Sequence, residues 1–274
     1  MAKGRREWTQ AKLERYRKEK RGEGSGESYK PWITIQNVPS RGRSTRTSGW
    51  KTNRVHHFLS DHEKRLFYLF EWSDIVVDIR EQFPLLDLDL AMNIATDMGI
   101  KYPAEAQNGT PYVLTSDFML SINRKGKSLK IARTVKTTKD LEKKRVAEKL
   151  EIEKQYWKAK GINWGIVTEK EIPRILADNI EWIHSAYKLE PTSGMDVEQM
   201  KEIAMILKLQ LNSKLNDNIA INKITTALDT EMNIETGTSL YLFRHLIAKK
   251  EIIIDMMSNK ISVFSAKDIQ KIIY

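Results

Sequence analysis

Apolar residues in the first two thirds of the chain follow a helical spacing and then an extended one. Leu66, Leu69 and Phe70 can share one face of a helix that begins at Ser60, and Ser60 to Glu63 matches a capping box. Short apolar segments bounded by turn formers predict strands at residues 75–79, 112–122, 128–136 and 162–167, with residues 80–86 leaving the first strand for a turn at Pro84. This order of elements predicts an α/β module.

Residues 124–127 read Arg-Lys-Gly-Lys, and the glycine suits a tight hairpin turn between the second and third strands. Those two strands should therefore pair antiparallel. A charged helix over residues 140–160, capped by Asp140 and ended by Gly161, would connect the third strand to the fourth. A connection of this length permits parallel pairing, so we expect a mixed sheet.

The last third of the chain changes to short amphipathic helices, which we predict at residues 173–187, 195–211, 217–228 and 239–249. Two apolar segments at 252–254 and 261–264, separated by a turn at 258–260, predict a hairpin after the last helix. Helices followed by a hairpin favour a winged-helix-like domain, and a generic helical domain gives the same pattern.

Charge divides the chain in the same place. Residues 1–168 hold 33 of the 46 basic residues and 21 of the 36 acidic ones, so the formal net charge of +10 comes entirely from this part. We infer a nucleic-acid-handling module at 1–168 and a module at 169–274 that mainly contacts protein; a merely solvated basic face is the alternative. Two basic segments, a short helix at 5–21 forming a mobile N-terminal arm and a loop at 40–54, could contact phosphates.

The hairpin brings candidate catalytic residues together. If Arg124 faces Lys127, counting back along both strands places Asp117 opposite Thr134 and brings Lys136, on the same face as Thr134, within reach of Asp117. An ordinary cross-strand ion pair would look the same. Glu63 is the natural second carboxylate, although closing the capping box onto the Ser60 amide is a sufficient structural role for it.

Carboxylates beside a lysine suit metal-dependent phosphodiester hydrolysis. Such chemistry needs a divalent cation, an activated water and often a second cation roughly 3.5–4 Å away. Hard oxygen ligands favour Mg²⁺, for which Mn²⁺ can substitute, so we expect Glu63 and Asp117 to hold up to two ions and Lys136 to orient water or stabilise developing charge.

These residues resemble the restriction-endonuclease signature, which here reads Ser116-Asp117 and then Thr134-Val135-Lys136. Wider segments resemble the TnsA family, the endonuclease subunit of a heteromeric cut-and-paste transposase; they lie at 55–57, 59–61, 71–72, 78–85 and 150–153. The resemblance runs from about residue 21 to 182 and is thin beyond it. It implies a restriction-endonuclease-like first domain.

The resemblance also implies function and partners. It implies cleavage at the 5′ ends of a transposon in double-stranded DNA, together with a DDE transposase subunit and an AAA+ ATPase regulator, in a bacterium. The charged first residues and the lack of cysteine favour a cytoplasmic location. Glu63 and Asp117 would be metal ligands and Lys136 the catalytic lysine. The family has glutamine where this chain has Thr134, a weaker ligand that the Val135 carbonyl or a water could replace. Glu153 aligns with an acidic residue near the family site, and we interpret it as a helix-surface charge.

Other classes of function are less well supported. The chain has no cysteine, and adjacent His56 and His57 point apart, so a DNA or packing contact is favoured over a zinc site. Trp157 and Trp164 are predicted to be core residues. No phosphate-binding loop or apolar run of membrane-spanning length occurs. A non-catalytic DNA-binding adaptor and a stand-alone restriction or repair nuclease remain as alternatives.

Overall fold

A computed structural model describes residues 7–37, 44–191 and 194–274. The chain divides into two compact units, Met1–Ile172 and Pro173–Tyr274. The first unit is α/β, and its helices and strands in chain order are α1 (Gln10–Lys18), β1 (Thr45–Ser48), β2 (Val55–Phe58), α2 (Asp61–Trp72), β3 (Val76–Pro84), α3 (Leu88–Asp97), β4 (Thr115–Arg124), β5 (Lys127–Val135), α4 (Thr138–Leu141), α5 (Lys144–Ala159) and β6 (Asn163–Val167).

The first unit contains a four-stranded mixed sheet, as predicted. Its order is β3-β4-β5-β6, with β3, β4 and β5 antiparallel and β6 parallel to β5. Lys125 and Gly126 form the hairpin turn with φ values of 52° and 76°, so the glycine has the left-handed backbone expected of it. Arg124 pairs with Lys127, which confirms the predicted hairpin register.

The N-terminal segment differs from the prediction. Residues 7–37 are not a mobile arm, because Trp8, Leu13 and Tyr16 are buried against Trp32 in an aromatic cluster. The short apolar face of α1 was not predicted, because basic residues dominate the sequence of this helix. The predicted loop at 40–54 is also partly wrong, since β1 pairs antiparallel with β2; residues 40–43 lie outside the described residues.

Two element boundaries in the sheet region were predicted wrongly. β3 continues through residues 80–84, and Pro84 pairs with Thr115 at the end of the strand, where a missing amide proton costs little. The helix predicted over 140–160 is two helices. The Thr137 side chain caps α4, whereas Asp140 binds Lys143, the residue before α5.

The second unit is mainly helical, with a small antiparallel sheet. Its elements are α6 (Arg174–His184), α7 (Val197–Asn212), α8 (Ile221–Glu231), α9 (Thr238–Ala248), β7 (Ile252–Ile254) and β8 (Ile269–Ile272). The predicted partner of β7 was wrong: residues 261–263 form a 3₁₀ turn, and β8 pairs with β7 instead. The Asn179 carboxamide holds this loop by bonding the Met256 and Asn259 carbonyls and the Ile261 amide. Along the described residues, no helix combines the length and apolar character that crossing a membrane requires.

Candidate active site

Asp117 on β4 is held by the neighbouring strand and by a lysine. Its Oδ2 accepts a hydrogen bond from the Val135 amide at 2.7 Å and lies 3.3 Å from Lys136 Nζ. The hairpin register explains this arrangement, because Phe118 pairs with Arg133 and the next step places Asp117 opposite Thr134. The predicted approach of Lys136 to Asp117 is therefore confirmed; Asp117 is buried, whereas Lys136 is partly exposed.

Glu63 lies in the first turn of α2 and has a capping role together with a place in the site. The Ser60 hydroxyl accepts from the Glu63 amide at 3.2 Å and donates to Glu63 Oε1 at 2.8 Å. Glu63 Oε2 accepts from the Leu59 amide at 3.0 Å, not from the Ser60 amide as the capping-box interpretation expected. The carboxylate is nonetheless turned towards Asp117.

Gln82 joins the two carboxylates. Its Nε2 lies 3.4 Å from Glu63 Oε2 and 3.3 Å from Asp117 Oδ1, and its Oε1 accepts from the Thr115 hydroxyl at 3.0 Å. Sequence reasoning missed Gln82 because it ended β3 too early. A strand extended to Pro84 and paired with β4 would have placed Gln82 opposite Asp117.

The electrostatics of the site follow from burial and from two facing acids. Burial, and secondly the charge of Asp117, raise the pKa of Glu63 to about 7. Burial alone would lower the pKa of Lys136, but the carboxylates of Asp117, Glu153 and Glu63 outweigh it and raise that pKa. Lys136 therefore stays protonated at neutral pH and supplies the positive charge that balances the carboxylates.

Glu153 on α5 is buried behind the site, so its interpretation as a helix-surface charge was wrong. Its Oε1 accepts hydrogen bonds from the hydroxyls of Ser116 and Thr134 and from Trp164 Nε1, the last at 2.8 Å. Burial raises the pKa of this carboxyl to about 7. The charged sequence of α5 does not show which of its polar residues faces the sheet, and the packing of α5 places Glu153 there.

Thr134 and Val135, the other two predicted metal ligands, both take part in hydrogen bonds. The Thr134 hydroxyl is directed at Glu153, and the Val135 carbonyl accepts from Lys136 Nζ at 2.8 Å. Over residues 7–37, 44–191 and 194–274, no group of three His, Cys, Asp or Glu side chains is placed to hold a metal ion. A cation bound by Glu63 and Asp117 would therefore need further oxygen donors from the backbone, an amide or water.

His56 and the two candidate tryptophans take structural positions. His56 is fully buried, with Nδ1 2.7 Å from Glu81 and Nε2 2.7 Å from Thr52, which is a packing role. Trp157 is buried and donates to Ser116 Oγ at 2.7 Å, whereas Trp164 is partly buried against the same core. Both indole N–H groups donate hydrogen bonds inside the first unit, which favours packing over base stacking for these residues.

Comparison with known proteins identifies the family of the chain. Residues 73–169 match the family model described as TnsA-like endonuclease N terminal, and residues 171–256 match TnsA endonuclease C terminal. Over 248 residues the chain is 41% identical to the Transposon Tn7 transposition protein TnsA of Escherichia coli, covering 90% of this chain and 87% of that protein. The chain belongs to the TnsA endonuclease family.

Proposed function

We propose that this protein is the Mg²⁺-dependent endonuclease subunit of a cut-and-paste transposase, hydrolysing phosphodiester bonds at the 5′ ends of the transposon in concert with a DDE transposase subunit. The observation that carries the proposal is the convergence of Glu63, Asp117 and Lys136, with Asp117 3.3 Å from the lysine and facing Glu63 across Gln82. The relative from Escherichia coli is named a transposition protein, which supports the biological setting.

The donor set fits a hard divalent cation. Glu63 and Asp117 offer carboxylate oxygens, the Val135 carbonyl offers a neutral oxygen, and Thr134 is the weakest candidate because its hydroxyl already bonds Glu153. When bound, one or two Mg²⁺ ions, or Mn²⁺ in their place, would supply the positive charge that neutralises the scissile phosphate. The two facing buried acids form an anionic recess suited to such ions.

Lys136 has the position of a catalytic cation. Its ammonium is fixed between Asp117 Oδ2 and the Val135 carbonyl, so it can hold a proton and direct hydrogen bonds to a phosphate oxygen or an attacking water. Asp117 accepts from the Val135 amide, which fixes the carboxylate relative to the lysine. Positioning of this kind lowers the reorganisation needed at the moment of reaction.

The partners follow from charge and family membership. The basic surplus of residues 1–168 suits double-stranded DNA at the transposon ends, and the nearly neutral remainder suits protein partners, for which we propose the DDE transposase subunit and an AAA+ regulator. We further propose that the first unit is a restriction-endonuclease-like domain and that the second is related to winged-helix domains.

Nicking of transposon-end DNA by Asp117→Ala tests the proposal. The substrate is labelled at the 5′ side of the end, and Mg²⁺ and the partner transposase are present. We expect loss of at least about a hundredfold in rate, because a ligand and the partner of Lys136 are removed together. Asp97→Ala, an exposed aspartate on α3, is the matched control. Unchanged nicking by Asp117→Ala with retained DNA binding would favour a non-catalytic adaptor.

A further inference from the structure

Gln82 has an unusual backbone for a residue inside a strand. Its φ is 48°, in the left-handed region, although Glu81 and Phe83 on either side remain paired with Phe118 and Ser116. A residue with a side chain adopts this conformation at a cost, and such positions persist where the surroundings fix them, often at functional sites. The consequence at this position is that the Gln82 side chain turns between the two carboxylates of the site.

Both ends of the Gln82 amide are used. The side chain is 2% exposed, Nε2 approaches Glu63 Oε2 at 3.4 Å and Asp117 Oδ1 at 3.3 Å, and Oε1 accepts from the Thr115 hydroxyl at 3.0 Å. A neutral amide thus donates to two acids that would otherwise repel each other. This arrangement suits the site when no cation lies between the carboxylates.

A bound cation would make the same arrangement unfavourable. Mg²⁺ lies roughly 2.0–2.1 Å from its oxygen ligands. A cation held jointly by Glu63 and Asp117 would therefore lie against Gln82 Nε2, whose amide protons carry positive partial charge. Half a rotation of the amide places Oε1 towards the carboxylates instead. The Thr115 hydroxyl can then accept from Nε2, since a hydroxyl both donates and accepts, so the buried amide is satisfied in either orientation.

We propose that Gln82 is a metal ligand that acts through Oε1, with its amide rotating from a donor between Glu63 and Asp117 to a ligand when a divalent cation binds. This inference rests on the proposed metal-dependent function of the site. It also accounts for a missing donor, because the Thr134 hydroxyl is occupied by Glu153 and no third acid or histidine of the described chain completes a metal-binding group. Gln82 provides a neutral oxygen from β3, the strand that pairs with the strand of Asp117.

Calorimetric Mn²⁺ binding at pH 7.5, without DNA, tests the ligand role. Gln82→Met keeps the length of the side chain and removes the amide, and we expect it to bind Mn²⁺ about tenfold more weakly than the wild type. Gln82→Glu keeps an oxygen but loses the amide protons, and we expect it to bind at least as tightly as the wild type. If Gln82 acted only as a hydrogen-bond donor in the metal-free site, Gln82→Met would bind Mn²⁺ at least as tightly as the wild type, and this result would overturn the inference.

Two controls separate binding from folding. Gln155→Met removes an amide that donates to Glu151 at 2.7 Å on α5, and we expect it to bind Mn²⁺ like the wild type. Gln82→Gly suits the left-handed φ, so we expect it to fold and to show the same loss as Gln82→Met. Equal Mn²⁺ affinity of Gln82→Gly and the wild type would overturn the inference.

The rotation has its own spectroscopic readout. In ¹⁵N-labelled protein, the side-chain NH₂ signals that disappear in Gln82→Met belong to Gln82, and we expect them to shift when Mg²⁺ is added. Unmoved signals under saturating Mg²⁺ would overturn the inference while leaving the metal site in place. A wild-type protein that binds neither Mg²⁺ nor Mn²⁺ would instead overturn the metal-dependent function and the Gln82 inference together.

Discussion

The hydroxyl of Thr134 donates a hydrogen bond to the buried carboxylate of Glu153. This contact connects β5, the strand that ends directly before Lys136, to helix α5, and it gives a structural use to a threonine at the position where the family resemblance implies glutamine. Ser116 and Trp164 donate to the same carboxylate oxygen, so three donors from three elements meet at one acceptor. The back of the site is therefore a closed polar network inside an apolar core.

Thr134→Val should destabilise the first unit by about 1–3 kcal/mol, because it leaves a buried carboxyl with one donor fewer while preserving the shape of the side chain. The free energy of unfolding in urea measures this change. Thr96→Val removes a hydroxyl that bonds the Met92 carbonyl on the exposed face of α3, and it should change stability by no more than about 0.5 kcal/mol. Equal effects of the two substitutions would contradict the role given to Glu153.

Glu153→Gln should make the protein more stable at pH 8 than the wild type and about as stable at pH 5. Burial raises the pKa of Glu153 to about 7, so its contribution to stability is fully present below the unfolded-state pKa of about 4.5 and is lost as pH rises through 7. The neutral amide does not ionise. Denaturant unfolding of both proteins at the two pH values is the measurement, and the gain at pH 8 can reach about 3 kcal/mol. Stability curves that stay parallel would rule out the raised pKa.

Mn²⁺ affinity should increase from pH 6 to pH 8. Burial and Asp117 raise the pKa of Glu63 to about 7, and a cation must displace the proton that this carboxyl holds at lower pH. Calorimetry across this range measures the change. In Glu63→Gln the titrating group is absent, so binding should be weak and nearly independent of pH. A wild-type affinity that does not vary between pH 6 and 8 would contradict the raised pKa.

The pairing of Asp117 with Lys136 could be predicted from the sequence because a two-residue turn fixes the register of the whole hairpin. Arg124 facing Lys127 is sufficient to place Asp117 opposite Thr134. Because side chains alternate between the two faces of a strand, Lys136 then lies on the same face as Thr134 and within reach of Asp117. The mixed sheet could also be predicted, because the segment between β5 and β6 is long enough for the two strands to pair in parallel.

Gln82 and Glu153 could not be placed in this way, because both depend on tertiary packing. A proline ended the predicted strand before Gln82, although Pro84 lies at the end of β3 where its missing amide is tolerated. Glu153 sits in a charged helical sequence whose period does not indicate which polar residue faces the sheet. Contacts between distant segments, such as Glu153 with Ser116, determine that choice.

Leu13→Ala should destabilise the protein by about 2–4 kcal/mol, since Leu13 is 2% exposed and its removal leaves a cavity in the aromatic cluster that anchors α1. Limited proteolysis after α1 should become faster in parallel with the loss of stability. Leu129→Ala, at a site 47% exposed, is the matched control and should have a small effect. A detached, mobile N-terminal arm would predict no loss of stability from Leu13→Ala.

Arg54→Met should destabilise the first unit strongly, because it removes the counter-charge of a fully buried acid. The Arg54 guanidinium bonds both carboxylate oxygens of Glu81, His56 Nδ1 lies 2.7 Å from the same carboxylate, and the site has almost no access to solvent. Burial by itself would raise the pKa of Glu81, but these two partners lower it to about 2, so the acid stays charged and would be left poorly compensated without the arginine.

Loss of one partner of a buried ion pair costs about 3–5 kcal/mol, which urea unfolding at pH 7 can measure. Arg145→Met, which breaks an exposed pair with Glu148 on α5, should cost less than about 1 kcal/mol. The double variant Arg54→Met with Glu81→Leu should recover part of the stability, since it removes the uncompensated charge as well as its partner. If the double variant is as unstable as the sum of its parts, packing of Arg54 rather than its charge stabilises this region.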